Sequence, residues 1–351
     1  VQGMVSSVFG VSAVIGPLLG AFLVEHVAWP VVFWVNLPIG VLAMGMIAAC
    51  LHENVEHREH RLDVTGSVLL LLGVGAVLLA LVQGAGVPGA VWWALLLGGL
   101  AGIAVLLVHE RSISEPILPL ELWRLRMIAA GSLGGGAAGA VMMGVSAFLP
   151  AYVQGAMGRS PTAAGLALGA MSVSWAVASF VAGKVMLHTS YRCTAVMGGA
   201  ALLCGTAILL AMDPAYGPYW AAGGAFVIGF GMGCCNTTFI VSIQAAVPWR
   251  QRGAATSSTM FMRFIGQALG AAGCGAVLNA TIRATDPGAA VIVDRILDPT
   301  QRTGIGHAEA MQVADLLAHG LHNAYLLSVA FAVAAVVLAL MIPRRISPRT
   351  A

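Results

Sequence analysis

One charged side chain sits deep in an apolar stretch of this sequence. Arg263 lies about ten residues past Arg252 and Gly253, which on a helix rising 1.5 Å per residue is roughly 15 Å of depth. A charge in hydrocarbon costs about 2.5–3.5 kcal/mol at the centre of a span, so its retention points to a role. Two roles suit it: facing a central cavity to polarise a carboxylate or bind an anion, or snorkelling toward one end as a lock. No Asp or Glu occupies the middle of any apolar stretch, and Glu25 stands at the end of the first. A group whose charge changes in the working pH range needs a carboxylate or histidine there. His52, His57 and His60 alternate with Glu53, Glu56 and Glu59 on a short linker; this reads as a solvated charge run, and no metal site is expected. No nucleophile and base pair at depth, so neither enzyme chemistry nor a cofactor is expected.

The elements that must position Arg263 follow from composition. Of 351 residues, 59% are hydrophobic and 9% charged, against about a quarter charged in soluble domains. Ten stretches reach the roughly 20 apolar residues that cross a bilayer: 3–26, 33–51, 64–82, 90–108, 127–150, 162–186, 194–212, 219–246, 254–278 and 322–342. This is an all-α polytopic membrane protein. Twelve of the 17 basic residues fall in alternate connections, among them Arg58, Arg61, Arg111, Arg124, Lys184, Arg192, Arg250 and Arg345. Basic residues collect on the cytoplasmic side, so both ends of the chain are expected there. The net charge of +3 is modest, and no nucleic-acid partner is expected. The six cysteines lack a Cys-x-x-Cys pair and read as small packing residues.

The first stretch carries Gly3, Ser12, Gly16, Pro17 and Gly20. Ser12, Gly16 and Gly20 are four apart and share one helix face, where a neighbouring helix can approach closely. Pro17 removes a backbone donor and should bend the rod. This spacing resembles the fifth-helix antiporter motif of the major facilitator superfamily drug exporters, with Ser12 and Ala21 replacing two glycines. Phe33, Asn36, Pro38 and Gly40 resemble the turn into helix six of the fourteen-helix drug:proton antiporters of the EmrB/QacA type. Leu62, Asp63 and Gly66 resemble the start of that family's extra helix seven. Leu149, Pro150, Tyr152 and Gln154, with Gly158, Ser160, Pro161, Ala164 and Gly165, are similar to its ninth helix, outer turn and tenth helix. Arg252 and Gly253, then Arg263, Gly266 and Gly270, resemble its thirteenth helix.

The resemblance implies a major facilitator fold of which the chain begins at helix five, with helices one to four absent. Residues 1–51 would be the last two helices of the N-terminal bundle. Residues 52–126 would be the extra helix pair with its linkers, and 127–351 the C-terminal six-helix bundle with a long outer loop over 279–321. Met311, Leu316 and Leu317 would form one face of a short helix lying on the membrane surface. The implied activity is proton-coupled efflux of drugs, antibiotics or similar lipophilic or cationic compounds across the plasma membrane; the alternative is a facilitator or importer of a small metabolite without proton exchange. Expected cavity residues are Met142, Ser146, Tyr152, Trp175, Asn236 and Arg263, with Met143, Phe148, Ser174, Phe226, Met232 and Met262 as further candidates. Asn236 follows Gly229, Gly231 and Gly233, where an accessible or flexible backbone is expected. The helix over 3–26 is expected to seat its small face against the helix at 162–186. The proton carrier is expected in the missing helices.

Overall fold

The computed structural model describes residues 12, 15–16, 19–20, 23, 27–50, 63–83, 87–113, 117, 119–285 and 307–343. Nine helices among them are long and apolar enough to cross a membrane, and they coincide with nine of the ten expected stretches. The principal helices are α1 (Asn36–Cys50), α2 (Val64–Gln83), α3 (Gly89–His109), α4 (Arg126–Ala151), α5 (Pro161–His188), α6 (Tyr191–Leu210), α7 (Pro218–Ala246), α8 (Arg252–Thr285) and α9 (His307–Met341). This is an integral membrane protein of all-α class.

Local sequence explains where the helices start. Ser160 caps α5, its Oγ accepting from the Ala163 amide at 3.3 Å, and Pro161 occupies the first position, where its missing N–H costs nothing. Gly158, at φ 64°, turns the chain into this cap. Asp63 caps α2, its Oδ1 accepting from the Gly66 amide at 2.8 Å. Gly66 must be a glycine for this to work, because a Cβ there would collide with Asp63 Oδ2. Asn36 donates from Nδ2 to the Val32 carbonyl at 3.1 Å, bridging the break at Val35 between Val31–Trp34 and α1. Pro38 lies in the first turn of α1, where a backbone donor is not required.

Helices α2 and α3 form a hairpin stapled at both ends. Trp92 Nε1 donates to the Ala80 carbonyl at 2.9 Å, and His109 Nε2 meets Asp63 Oδ1 at 3.1 Å. Between these staples the backbones approach closely, with Gly73 against Gly99 and Gly102. The hairpin lies against α8. An apolar cavity of about 430 Å³ remains between them, lined by Leu78, Val82, Phe148, Ala271, Gly275 and Asn279. The residues of α1 are exposed throughout.

Helices α4 to α9 form the core bundle. Their main contacts pair α4 with α8 and α5 with α7, α4 with α9 and α6 with α7, α4 with α7, α6 with α9, and α8 with α9. Exchanging the first three helices for the last three turns α4–α8 into α5–α7 and α4–α9 into α6–α7, and α4–α7 and α6–α9 into themselves; α8–α9 breaks the pattern, since its counterpart α5–α6 meets far less. The match fits two repeated three-helix units about a pseudo-two-fold axis. Small residues hold the units together. On α8, Gly266 and Gly270 face the backbone of Gly136 and Ala140 on α4, and a Cβ at either would collide with it.

Three expectations change. Gly229, Gly231 and Gly233 are buried and serve close packing rather than flexibility: Gly229 and Gly233 press on the α5 backbone at Met171 and Trp175, and Gly231 on α6 at Gly198 and Leu202. The expected outer loop 279–321 is shorter, because α8 runs on to Thr285 and α9 already begins at His307. The expected surface helix around Leu316 and Leu317 is instead part of α9. Leu317 and Leu321 are fully buried in the cluster that holds Leu278 and Ile282, and Asn323 Nδ2 donates to Thr281 Oγ1 at 3.2 Å.

Gly3 and Pro17 of the expected first helix, and the histidines and glutamates of residues 52–60, lie outside the described residues. Ser12, Gly16 and Gly20 are helical, and nothing lies within 4 Å of a Cβ built on Gly16 or Gly20.

Candidate functional site

Arg263 and Asn236 meet in the interior of the bundle. Arg263 stands eleven residues after the start of α8, and Asn236 ten before the end of α7, so both are about 15 Å from the end of the bundle that carries Arg250 and Arg252. At that common depth Arg263 Nη1 donates to Asn236 Oδ1 at 2.7 Å. Gly139 of α4 makes room for Arg263, whose backbone oxygen would be 2.6 Å from a Cβ there. Arg263 also stacks its guanidinium 5.1 Å from the Phe264 ring centre. Its Nε is shut away from solvent and has no hydrogen-bond partner. Among the described residues no carboxylate pairs with this guanidinium.

Further polar and thioether side chains meet along α4, α5 and α8. Gln267, one turn beyond Arg263, points its Nε2 at Met142 Sδ at 3.9 Å. Ser146 Oγ donates to the Met142 carbonyl at 2.7 Å and lies 4.0 Å from Met171 Sδ. Trp175 follows Met171 by one turn of α5. Met142, Ser146, Trp175, Asn236, Arg263 and Gln267 are all half-buried. The arrangement offers one fixed cation, two amides, two thioethers and an indole. That set can hold a lipophilic body while orienting one polar group, since thioethers repack around varied shapes. It has no group arranged to make or break a covalent bond.

The remaining predicted residues go elsewhere. Tyr152 is buried, and its hydroxyl donates to the Met212 carbonyl at 3.0 Å, tying the far end of α4 to the end of α6. Phe148 lines the cavity beside the α2–α3 hairpin. Met143 and Phe226 are exposed, while Met232 and Ser174 are fully enclosed. Met262 is half-buried, its backbone carbonyl opposite Gly136. Gln267 and Met171 were not foreseen. Gln267 was findable, because it is four residues from Arg263 and so shares its face. The buried thiols act as small packing groups: Cys235 Sγ lies 3.7 Å from the Ala195 carbonyl and Cys274 Sγ 3.4 Å from that of Ala324.

Residues 1–271 match the sequence profile described as Major Facilitator Superfamily. The chain belongs to this superfamily. It is 30% identical over 282 residues to the multidrug transporter protein MdtP of Bacillus subtilis (strain 168), covering 80% of this chain and 52% of that one. It is 28% identical over 274 residues to multidrug resistance protein 3 of the same organism, covering 77% and 53%. Multidrug resistance protein Stp of Mycobacterium tuberculosis is 26% identical over 288 residues, with 81% and 53% covered. The chain thus spans about half the length of the curated relatives it matches. Among solved structures, a bacterial homolog of the human lysosomal transporter Spinster, in an inward-facing and unoccupied conformation, superposes with a TM-score of 0.52 at 18% identity, covering 79% of this chain and 66% of that one. That likeness establishes the major facilitator fold. A superfamily member of this kind is a transporter and not an enzyme.

Proposed function

We propose that this chain is part of a fourteen-helix, proton-coupled exporter of drugs, antibiotics or similar lipophilic or cationic compounds, lodged in the plasma membrane with its basic end cytoplasmic. Names carried by the relatives support the substrate class. The observation that carries the reading is the hydrogen bond between Arg263 of α8 and Asn236 of α7, at mid-depth in the six-helix bundle and beside Gly139 of α4. Alternating access follows from rocking such a bundle against a partner bundle around a midplane site. Residues 1–51 would supply two helices of that partner, and four further helices would supply the rest together with the proton-carrying acid.

The notched face of Ser12, Gly16 and Gly20 would seat against Gly165 and Gly169 on α5. Nothing lies within 4 Å of a Cβ built on Gly16, Gly20, Gly165 or Gly169, so both faces stand open for such a contact. The test is ethidium accumulation in cells stripped of their own pumps and expressing the longer protein. The reading expects lowered accumulation that a protonophore restores. Accumulation equal to empty-vector cells would refute it.

A further inference from the structure

We propose that Arg263 and Asn236 form a carboxylate-binding site; this deepens the transport reading above and rests on it for the site's exposure to substrate. A guanidinium presents five N–H donors in a planar fork. Asn236 Oδ1 engages Nη1 and so fixes the plane of the fork. The opposite edge, made by Nε and Nη2, donates no hydrogen bond to the described residues; Nε is covered by protein, so a ligand oxygen reaches it only when the neighbouring side chains give way. Two parallel donors on that edge match the two oxygens of one carboxylate.

Gln267 adds a third donor on the same helix face. Its Nε2 now meets only a thioether, Met142 Sδ at 3.9 Å, a weak acceptor that a carboxylate oxygen would displace. Asn236 cannot neutralise the guanidinium, being an amide. The site therefore favours a planar monoanion. A phosphate dianion finds one positive charge here, too few for it. The Met142 side chain, in contact with Gln267, suits an aromatic or aliphatic body attached to that carboxylate.

The carboxylate has two possible sources: the transported compound, or an acidic residue of the bundle proposed to complete the protein. Nalidixate, its ethyl ester and tetraphenylphosphonium separate them. Binding of each to the purified longer protein is titrated for the parent, R263K, R263Q and N236D, with thermal unfolding as the check on folding. N236D places an internal carboxylate on the same guanidinium and so competes for it.

If the ligand supplies the group, nalidixate binding weakens by about tenfold or more in R263Q and N236D. R263K then keeps part of it, and ester and tetraphenylphosphonium binding do not change. If the protein supplies it, nalidixate and ester bind alike in all four proteins. In the longer protein, R263Q then moves the pH midpoint of ester transport upward, since removing a cation raises the pKa of a paired acid. The site is overturned if R263Q leaves nalidixate binding and that pH midpoint both unchanged. Should the longer protein export nothing while nalidixate binding still depends on Arg263, the transport reading fails and the site stands.

Discussion

Gly266 on α8 crosses Gly136 on α4 so closely that a methyl group on Gly266 would run into the Gly136 carbonyl. One turn on, Gly270 repeats the relationship with Ala140. Arg263, Gly266 and Gly270 therefore work as a unit: the two glycines bring α8 against α4, and this closeness delivers Arg263 past Gly139 to Asn236. In a bilayer, helix association depends on such packing, since lipid is as apolar as the helices themselves.

Enlarging Gly266 to leucine should therefore push α8 away from α4. Overpacking costs about 1–3 kcal/mol and more where backbone must move. The thermal midpoint of purified Gly266→Leu protein should fall well below that of the parent. Gly223→Ala, where nothing lies within 4 Å of the added Cβ, should leave it unchanged.

The Asp63 carboxyl is held below its ordinary value of 3.8, chiefly by the Gly66 amide and next by His109. A depressed acid stabilises the fold above its unfolded pKa and loses that contribution as pH falls through the folded value. The α2–α3 hairpin should thus hold its Asp63–His109 end from neutral pH down past 3.8, then loosen. Asp63→Asn should lower the thermal midpoint at neutral pH and remove this acid step. Thermal unfolding of both proteins over an acid pH series provides the comparison.

Tyr152→Phe removes the hydrogen bond to the Met212 carbonyl and little else. The expected loss is about 1 kcal/mol, seen as a modestly lower thermal midpoint. Ethidium efflux by the longer protein should persist. Its complete loss would show that the hydroxyl does more than tie α4 to α6.

Gly16→Leu should fill the notch proposed to seat on α5. The protein should still reach the membrane, yet ethidium efflux should stop or protons should leak. Normal coupled transport by the Gly16→Leu protein would remove the seat from the account.

The spans were legible because runs of about 20 apolar residues admit few other structures. The entry to α5 was legible because Gly158, Ser160 and Pro161 each do a local job in a turn and cap. The extension of α9 ahead of its apolar run was not, since hydropathy marks what lipid touches. Leu317 and Leu321 are buried by Leu278 and Ile282, a contact between helix ends far apart in sequence. Gly229 and Gly233 misled for a related reason: whether a glycine loosens a helix or seats a neighbour depends on α5, which local sequence does not describe. Arg263 was visible as a misplaced charge, whereas its partner Asn236, 27 residues away, was ranked only as a polar group at depth.

A pH jump tests coupled exchange directly. The longer protein is reconstituted in liposomes loaded with ethidium, and the outside is shifted acidic or alkaline relative to the lumen. Ethidium should leave faster when protons flow inward and slower when the gradient is reversed, with protons entering the lumen as ethidium departs. Equal ethidium exit in both gradients, with no accompanying proton flux, would contradict it.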